Sequence, residues 1–394
     1  MVPTDSPRVG LEMEWLVYTA GDPTAPVPHD LVRQILGSAG PLPAGGAITY
    51  EPGGQVELST LVRGSVDRAT AAAATDRSHI AGLLSASGIE MVSVGVDPLR
   101  RNERVIHTPR YDRMEECFDS FGPLGRRMMR DTAALQINID VSSRRVEQFR
   151  IAHLVGPVMS AIFADSPIID GKPNAVASNR LAIWQGMDPS RTAPLEISDD
   201  PVSVWARYAL NAQVILIGPH GERFGHAGRN FTFKNWIQHG HETGFPTPDD
   251  LDYHLTTLFP PIRPKAWLEI RMIDALPEPY WRAAVTAWVV LLHDVEAGER
   301  AERATAATAN MWKDAAVDGL ADTAIAESAI TCMQAALDGA QRMDVGATDL
   351  AALAEFADRF TFRSRMPADE RLEAFEKTGR YLPFESSVGA PAWI

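Results

Sequence analysis

Four segments of the chain alternate strictly between apolar and polar residues. That is the pattern of a β-strand with one face buried, because residues two apart share a face. In 9–17 the odd positions Val9, Leu11, Met13, Trp15 and Val17 are apolar, while Glu12 and Glu14 fall on the opposite side. In 49–59 Glu51, Gln55, Glu57 and Ser59 share one parity against Val56 and Leu58, and Gly53-Gly54 reads as a bulge within the strand. In 134–142 Leu135, Ile137, Ile139 and Val141 oppose Gln136, Asn138, Asp140 and Ser142. In 267–273 Leu268, Ile270 and Met272 oppose Trp267, Glu269 and Arg271.

Helical periodicity predicts helices over 66–85, 112–131, 143–165, 202–212 and 279–297, then 300–316, 322–342, 347–360 and 368–379. Stretches rich in Pro, Gly and Asp predict loops at 21–30, 37–46, 170–175, 188–200 and 243–250. The chain shows no internal repeat and no low-complexity linker. One α+β domain is therefore expected over 1–394, with a sheet-containing core to 297 and a helical portion over 298–394.

A half-buried strand often turns its polar side to water. The residue choice here points elsewhere. Solvent-facing strand positions favour Thr and mixed charge, and strands disfavour Glu. These polar faces instead carry Glu12, Glu14, Glu51, Glu57 and Glu269, with amides and one Arg. Two carboxylates about 5 Å apart repel by about 3 kcal/mol at an effective dielectric of 20. If the faces converge, the carboxylates must take up protons or bind cations. Mg²⁺ prefers such oxygen ligands, and a site for two or more Mg²⁺ ions suits phosphoryl transfer. The chain has neither a Walker-type phosphate loop nor a Gly-x-Gly-x-x-Gly element. ATP would then be held by carboxylate-bound Mg²⁺, with Arg271 and Lys234 as cationic clamps.

Composition narrows the partners. The net charge of −14 disfavours nucleic acid, whose backbone needs a basic face, and suits a protein that handles small molecules and cations. The run 283–292 is too short to span a bilayer, and residues 1–7 lack an apolar signal core, so a cytoplasmic location is expected. Asn230-Phe231-Thr232 matches the glycosylation pattern by chance on that reading. Two cysteines, Cys117 and Cys332, make no disulfide framework. Acidic neighbours Glu115, Glu116 and Asp119 are expected to raise the Cys117 thiol pKa and disfavour a nucleophilic role. His220, His226, His239 and His241 match no standard zinc spacing and read as a loop over the site. Arg100, Arg101 and Arg104 read as solvated surface beside Glu103. The sequence carries no signal for or against self-association.

Several words in these segments resemble the glutamate–cysteine ligase family. They are Gly10-Leu-Glu-Met-Glu14, Glu51-Pro-Gly-Gly-Gln-Val-Glu-Leu-Ser59, Leu135-Gln-Ile-Asn-Ile-Asp140, Ser178-Asn-Arg180 with Ile183-Trp184, His254-Leu-Thr-Thr-Leu-Phe-Pro260 and Leu268-Glu-Ile-Arg-Met-Ile-Asp274. The set spans about 8 to 290 and is most similar to the actinobacterial ligases of ergothioneine biosynthesis, then to the plant type. The resemblance implies a glutamine-synthetase-like fold, a curved antiparallel sheet forming an active-site funnel with helices on its outer face. It implies an ADP-forming ligase that makes γ-glutamylcysteine through a γ-glutamyl phosphate. By position, it implies Glu12, Glu14, Glu51, Glu57 and Glu269 as magnesium ligands, with Glu57 and Arg271 catalytic. Arg110, Arg180, Trp184 and Gln136 would meet the amino-acid substrate, and Arg271, Lys234 and Asn138 would meet ATP. The C-terminal helical portion carries no such word, so the acceptor amine stays open. Another carboxylate–amine ligase, a guanidino-kinase-like phosphotransferase and a non-catalytic nucleotide- or cation-binding protein remain as alternatives.

Overall fold

The alternating segments pair edge to edge, so their polar faces fall on one side and their apolar faces on the other. The structure is a computed structural model and describes residues 7–217, 225–226, 230–379, 383–384 and 392–393. Its main sheet contains β1 (Val9–Thr19), β2 (Ala47–Tyr50), β3 (Val56–Ser59), β4 (Ile89–Val92), β5 (Ala134–Asp140), β6 (Ile262–Pro264) and β7 (Trp267–Asp274). The order is β6-β7-β5-β1-β3-β2, all neighbours antiparallel, and β4 pairs with the second half of β1.

The segment expected as one bulged strand over 49–59 is two strands. The chain reverses between β2 and β3, and the Gly54 N–H donates to the Glu51 carbonyl at 2.8 Å. Gly54 has φ +89, a conformation that side chains resist. Gly53 lies so close to the helix Leu124–Asp131 that a Cβ there would sit 2.1 Å from the Arg130 carbonyl oxygen. Two glycines therefore make a tight reversal pressed against a helix end, and Glu51 and Glu57 stand on its two arms.

The apolar parities of β1, β3, β5 and β7 bury Leu11, Met13, Trp15, Leu58, Ile137 and Ile270. They share one core with the helices Val66–Ser85, Arg145–Ile162 and Tyr280–His293. The helix Val66–Ser85 begins at Ser65, whose side chain accepts from the Arg68 N–H, an N-cap of the usual kind. The expected helix over 112–131 is broken into Pro109–Asp119 and Leu124–Asp131 around Gly122, which has φ +131. The expected 279–297 ends at His293, where the Asp294 side chain caps a new helix, Val295–Thr305. The helices His29–Ser38, Asn179–Met187, Phe233–His239 and Pro248–Leu255 lie outside the predicted set. Among the described residues no helix is long and apolar enough to cross a membrane.

Candidate active site

The pairing register sets the carboxylates side by side. Glu14 on β1 lies opposite Glu57 on β3, and Glu57 lies opposite Thr49 on β2. Glu12 sits between Ser59 and Gln136, and Asn138 lies opposite Glu269. One carboxylate oxygen from each of Glu14, Glu51 and Glu57 falls within 4.8 Å of the others. Glu14 and Glu57 are each only 9% exposed, so little water screens them.

Burial pushes the Glu14 carboxyl up to about 7; Glu57 adds to the rise, and Arg180, Arg271 and the Ala134 N–H oppose it. Burial, then Glu14 and Glu57, pushes Glu51 well above the usual carboxylate range. Burial also raises Glu57, against hydrogen bonds from Thr49 and Ser59. Three carboxylates that resist ionising together could serve as oxygen donors to a hard divalent cation, and the residues fit Mg²⁺. Glu14 is braced by its neighbours, accepting from the Ala134 N–H at 2.9 Å and from Gln136 Nε2 at 3.0 Å.

The trio lines a cavity of about 280 Å³ with Glu12, Gln136 and four cationic side chains, Arg110, Arg180, Arg263 and Arg271. Arg271 shares the parity of Glu269 and sits where β7 is bulged. Ile270 pairs with Ile137 but Ile273 pairs with Leu135, so one extra residue is inserted there. Its Nη1 donates to Gln136 Oε1 at 2.5 Å and lies 3.2 Å from Glu269. Arg180 lies in the first turn of the helix Asn179–Met187, is 3% exposed, and donates through Nη2 to the Arg271 carbonyl at 2.8 Å. Among the described residues its buried Nε has no hydrogen-bond partner, and neither does the buried Trp184 Nε1. Arg110 donates to the Thr256 side chain and carbonyl at 2.8 and 3.1 Å. A second, open depression of about 610 Å³ adjoins the far side of Glu51 and Glu57 and is bounded by His29, Tyr50, Ile106 and Tyr111.

The sequence pattern of glutamate–cysteine ligase family 2 matches residues 8–366, a span that holds the whole main sheet and every residue of this cavity. The chain belongs to that family. It is 39% identical over 341 residues to the glutamate–cysteine ligase EgtA of Mycolicibacterium smegmatis, covering 84% of this chain and 80% of that one. It is 32% identical over 261 residues to the chloroplastic glutamate–cysteine ligase of Brassica juncea, covering 63% of this chain and 50% of the plant enzyme. The glutamate–cysteine ligase of Francisella tularensis, solved in complex with AMP, superposes with a TM-score of 0.59 over 96% of this chain and 86% of that one, at 15% identity. The fold that the resemblance implied is thus the fold observed, that of glutamate–cysteine ligases.

Not every expected residue of this ligase-family chain stands in the cavity. Glu269 is 1% exposed and is held by three cations: Arg263 in a two-point contact, Lys265 at 3.0 Å and Arg271 at 3.2 Å. Burial works to raise its pKa, but Arg271, Arg263 and Lys265 together hold it well below the usual range. It stands apart from the clustered trio as the counter-charge of the arginines. Asn138 is spent on protein contacts, donating to Glu12 at 3.0 Å and accepting from Trp267 Nε1 at 2.6 Å. Lys234 is exposed in the helix Phe233–His239 and does not line the cavity.

Three residues went unrecognised in the sequence. Arg263 lies opposite Glu269 in the β6–β7 hairpin and lines the cavity. Tyr111 borders both depressions, and its hydroxyl is pushed up to about 12 by burial and then by Glu51. Thr49 donates to Glu57 at 2.5 Å. A three-residue reversal centred on Ala266 is the signal that could have exposed Arg263, since it puts 263 across from 269. Of the three arginines expected as solvated surface, only Arg101 is exposed, pairing with Asp170; Arg100 and Arg104, 17% and 13% exposed, are packed in against Asp97 and against Asp112 and Glu115. Cys117 is raised as expected, but by burial; the acids near it in sequence are paired with arginines. His241 contacts Thr243 and packs on Phe231; His220 and the side chain of His226 lie outside the described residues.

Proposed function

We propose that this chain joins the γ-carboxylate of glutamate to the amine of cysteine at the expense of ATP, with Mg²⁺, through a γ-glutamyl phosphate. The observation that carries this reading is the cluster of Glu14, Glu51 and Glu57, beside Arg180 and Arg271 on one sheet face. Its membership of the ligase family and its likeness to EgtA support the reaction.

Glu14, Glu51 and Glu57 would hold Mg²⁺, with Glu12 next to them for a second ion. Bound there, Mg²⁺ would offset charge on the ATP phosphates. The cationic cavity suits the amino-acid substrate: buried Arg180 and the cavity-lining Arg110 would take its carboxylates against Trp184, and Gln136 would hold Arg271 in line. The open depression bounded by Tyr50, Ile106 and His29 suits the base of the nucleotide. The carboxylate trio then stands between the two, where the γ-phosphoryl group is transferred.

A γ-carboxylate oxygen of glutamate attacks the γ-phosphorus, and the bond to the β–γ bridging oxygen breaks, releasing ADP. The amine attacks the acyl carbon, phosphate departs, and the amine loses a proton. Arg271 would stabilise the negative charge that develops on the transferred group, and Glu57 would fix the metal-binding face opposite Glu14. No enzyme nucleophile is required. A cytoplasmic location and supply of ergothioneine or another low-molecular-weight thiol follow from this reading.

The test is ADP release with ATP and Mg²⁺, omitting glutamate and cysteine in turn, with mass analysis of the product. Release that needs both amino acids and yields γ-glutamylcysteine is expected. Release that needs glutamate with a different amine would replace the acceptor. A phosphorylated end product without an amide would replace the ligase chemistry with phosphotransfer.

A further inference from the structure

Arg180 and Trp184 share one face of the helix Asn179–Met187, four residues apart, so the start of that helix sets where both point. The start is built around one buried carboxylate. Asp274, 1% exposed at the end of β7, accepts from the Ser178 hydroxyl at 2.9 Å, the Ser166 hydroxyl at 2.7 Å and the Asp165 N–H at 2.9 Å. Those two hydroxyl oxygens in turn accept the first-turn N–H groups of the helix. Ser178 takes that of Leu181 at 3.1 Å, and Ser166 takes that of Arg180 at 3.2 Å. A negative charge is thus relayed through two hydroxyls to a helix N-terminus, where it is favoured, and it attracts the Arg180 guanidinium as well.

The segment that supplies two of these donors is gripped from behind by the C-terminal helical portion. Arg371, in the helix Pro367–Thr378, makes a two-point contact with the Asp165 carboxylate and donates to the Ser93 carbonyl at 2.7 Å. The Ala368 N–H donates to the Ala164 carbonyl at 3.0 Å. The Arg371 and Asp165 side chains are 3% and 2% exposed. Arg371 lies beyond residue 366, where the family match ends. A buried ion pair is by itself weak support for stability. What distinguishes this one is its direction, because each link leads to the first turn of the substrate-facing helix, where Arg180 stands.

We propose that Asp274 is a positioning residue that fixes Arg180 for the glutamate substrate, and that Arg371 extends this control to the C-terminal helix. The inference rests on the assignment of Arg180 to glutamate.

Steady-state kinetics on the full chain test it. Arg180→Ala is expected to raise the glutamate KM. Asp274→Asn keeps the shape but loses the charge and should raise the glutamate KM by about tenfold while the ATP KM stays within about twofold. Ser166→Ala and Ser178→Ala should shift the glutamate KM in the same direction by less. Arg371→Met should raise it, and Arg371→Lys should recover part of the loss. In the double variant Arg180→Ala with Asp274→Asn, the glutamate KM should match that of Arg180→Ala alone, because both act through one group. A merely structural role would lower the active fraction and leave the two KM values alone. Unchanged glutamate KM in Asp274→Asn, or in both serine variants if Asp274→Asn does not fold, would overturn the inference while Arg180→Ala still raises it. An unchanged glutamate KM in Arg180→Ala would instead remove the assignment of Arg180, and the inference with it.

Discussion

At the scale of single residues, Glu14 carries the sharpest consequence. Its carboxyl is raised from the ordinary 4.5 to about 7 by burial and by Glu57. A raised carboxylate pKa favours the folded state while the group is protonated, and that advantage is lost as pH climbs through the folded value. The Mg²⁺-free protein should therefore lose stability between about pH 4.5 and pH 7, by an amount on the order of 3 kcal/mol from this group. Glu14→Gln should be nearly neutral near pH 4.5 and more stable than the unaltered protein above pH 7, read by thermal melts in chelator. Equal melts across that range would remove the electrostatic account of the trio. The parity of Glu12, Glu14 and Glu57 was legible from alternation alone, because a period of two decides a face. The pinning of Glu269 was not, since it depends on Arg263 in a three-residue strand too short to show a period. The cysteines invite the opposite test. Burial pushes the Cys332 thiol to about 12 and raises Cys117. Cys117→Ala with Cys332→Ala should keep kcat within about twofold, at a stability cost of about 1 kcal/mol from the small cavity at Cys332. A large loss of kcat would reveal thiol chemistry.

At the scale of elements, the hairpin between β2 and β3 decides whether the trio forms at all. Glu51 and Glu57 stand on opposite arms of a reversal, and Gly53 is what lets that reversal touch the Arg130 carbonyl. Gly53→Ala would force a Cβ into that oxygen, so the hairpin must move away from the helix Leu124–Asp131. Displacement should cost about 1–3 kcal/mol and lower kcat by at least about tenfold, since misplacing catalytic groups by an ångström is expensive. Gly64→Ala meets nothing within 4 Å and should change neither by a measurable amount. A Gly53→Ala enzyme with normal kcat would show that the hairpin tolerates movement. The two glycines were visible in the sequence, but reversal and bulge share that signal. Only the partner strand distinguishes them, and β3 finds its partner in β1, some forty residues earlier. Local signals were enough where an element carries its own cap, as Ser65 does for Val66–Ser85. They failed for His29–Ser38, which follows a Pro-rich stretch and has no side-chain cap.

At the scale of the whole molecule, the question is whether the helical portion beyond 297 is a separate unit. The helix Tyr280–His293 is buried from Trp281 through Leu292, and a helix that is apolar all round must be covered on every side. One side meets the helix Arg145–Ile162, and the others meet Thr323–Arg342 and Ala347–Arg359. The ring of Phe163 lies 4.8 Å from that of Phe356, and Tyr280 lies 5.0 Å from Phe360, so aromatic packing crosses the expected boundary. Arg371 crosses it too, through Asp165 to Asp274. We therefore propose that residues 1–297 and 298–394 are one cooperative unit. The full chain should unfold in a single calorimetric transition with matching calorimetric and van't Hoff enthalpies. A fragment ending at 297 should expose the Trp281–Leu292 surface and fail to give a soluble, cooperatively melting protein. Two separable transitions, or a soluble fragment that melts cooperatively, would make the helical portion a domain in its own right. Arg371 would then act on the substrate site across a domain interface, and its kinetic effect should disappear once the C-terminal unit has melted.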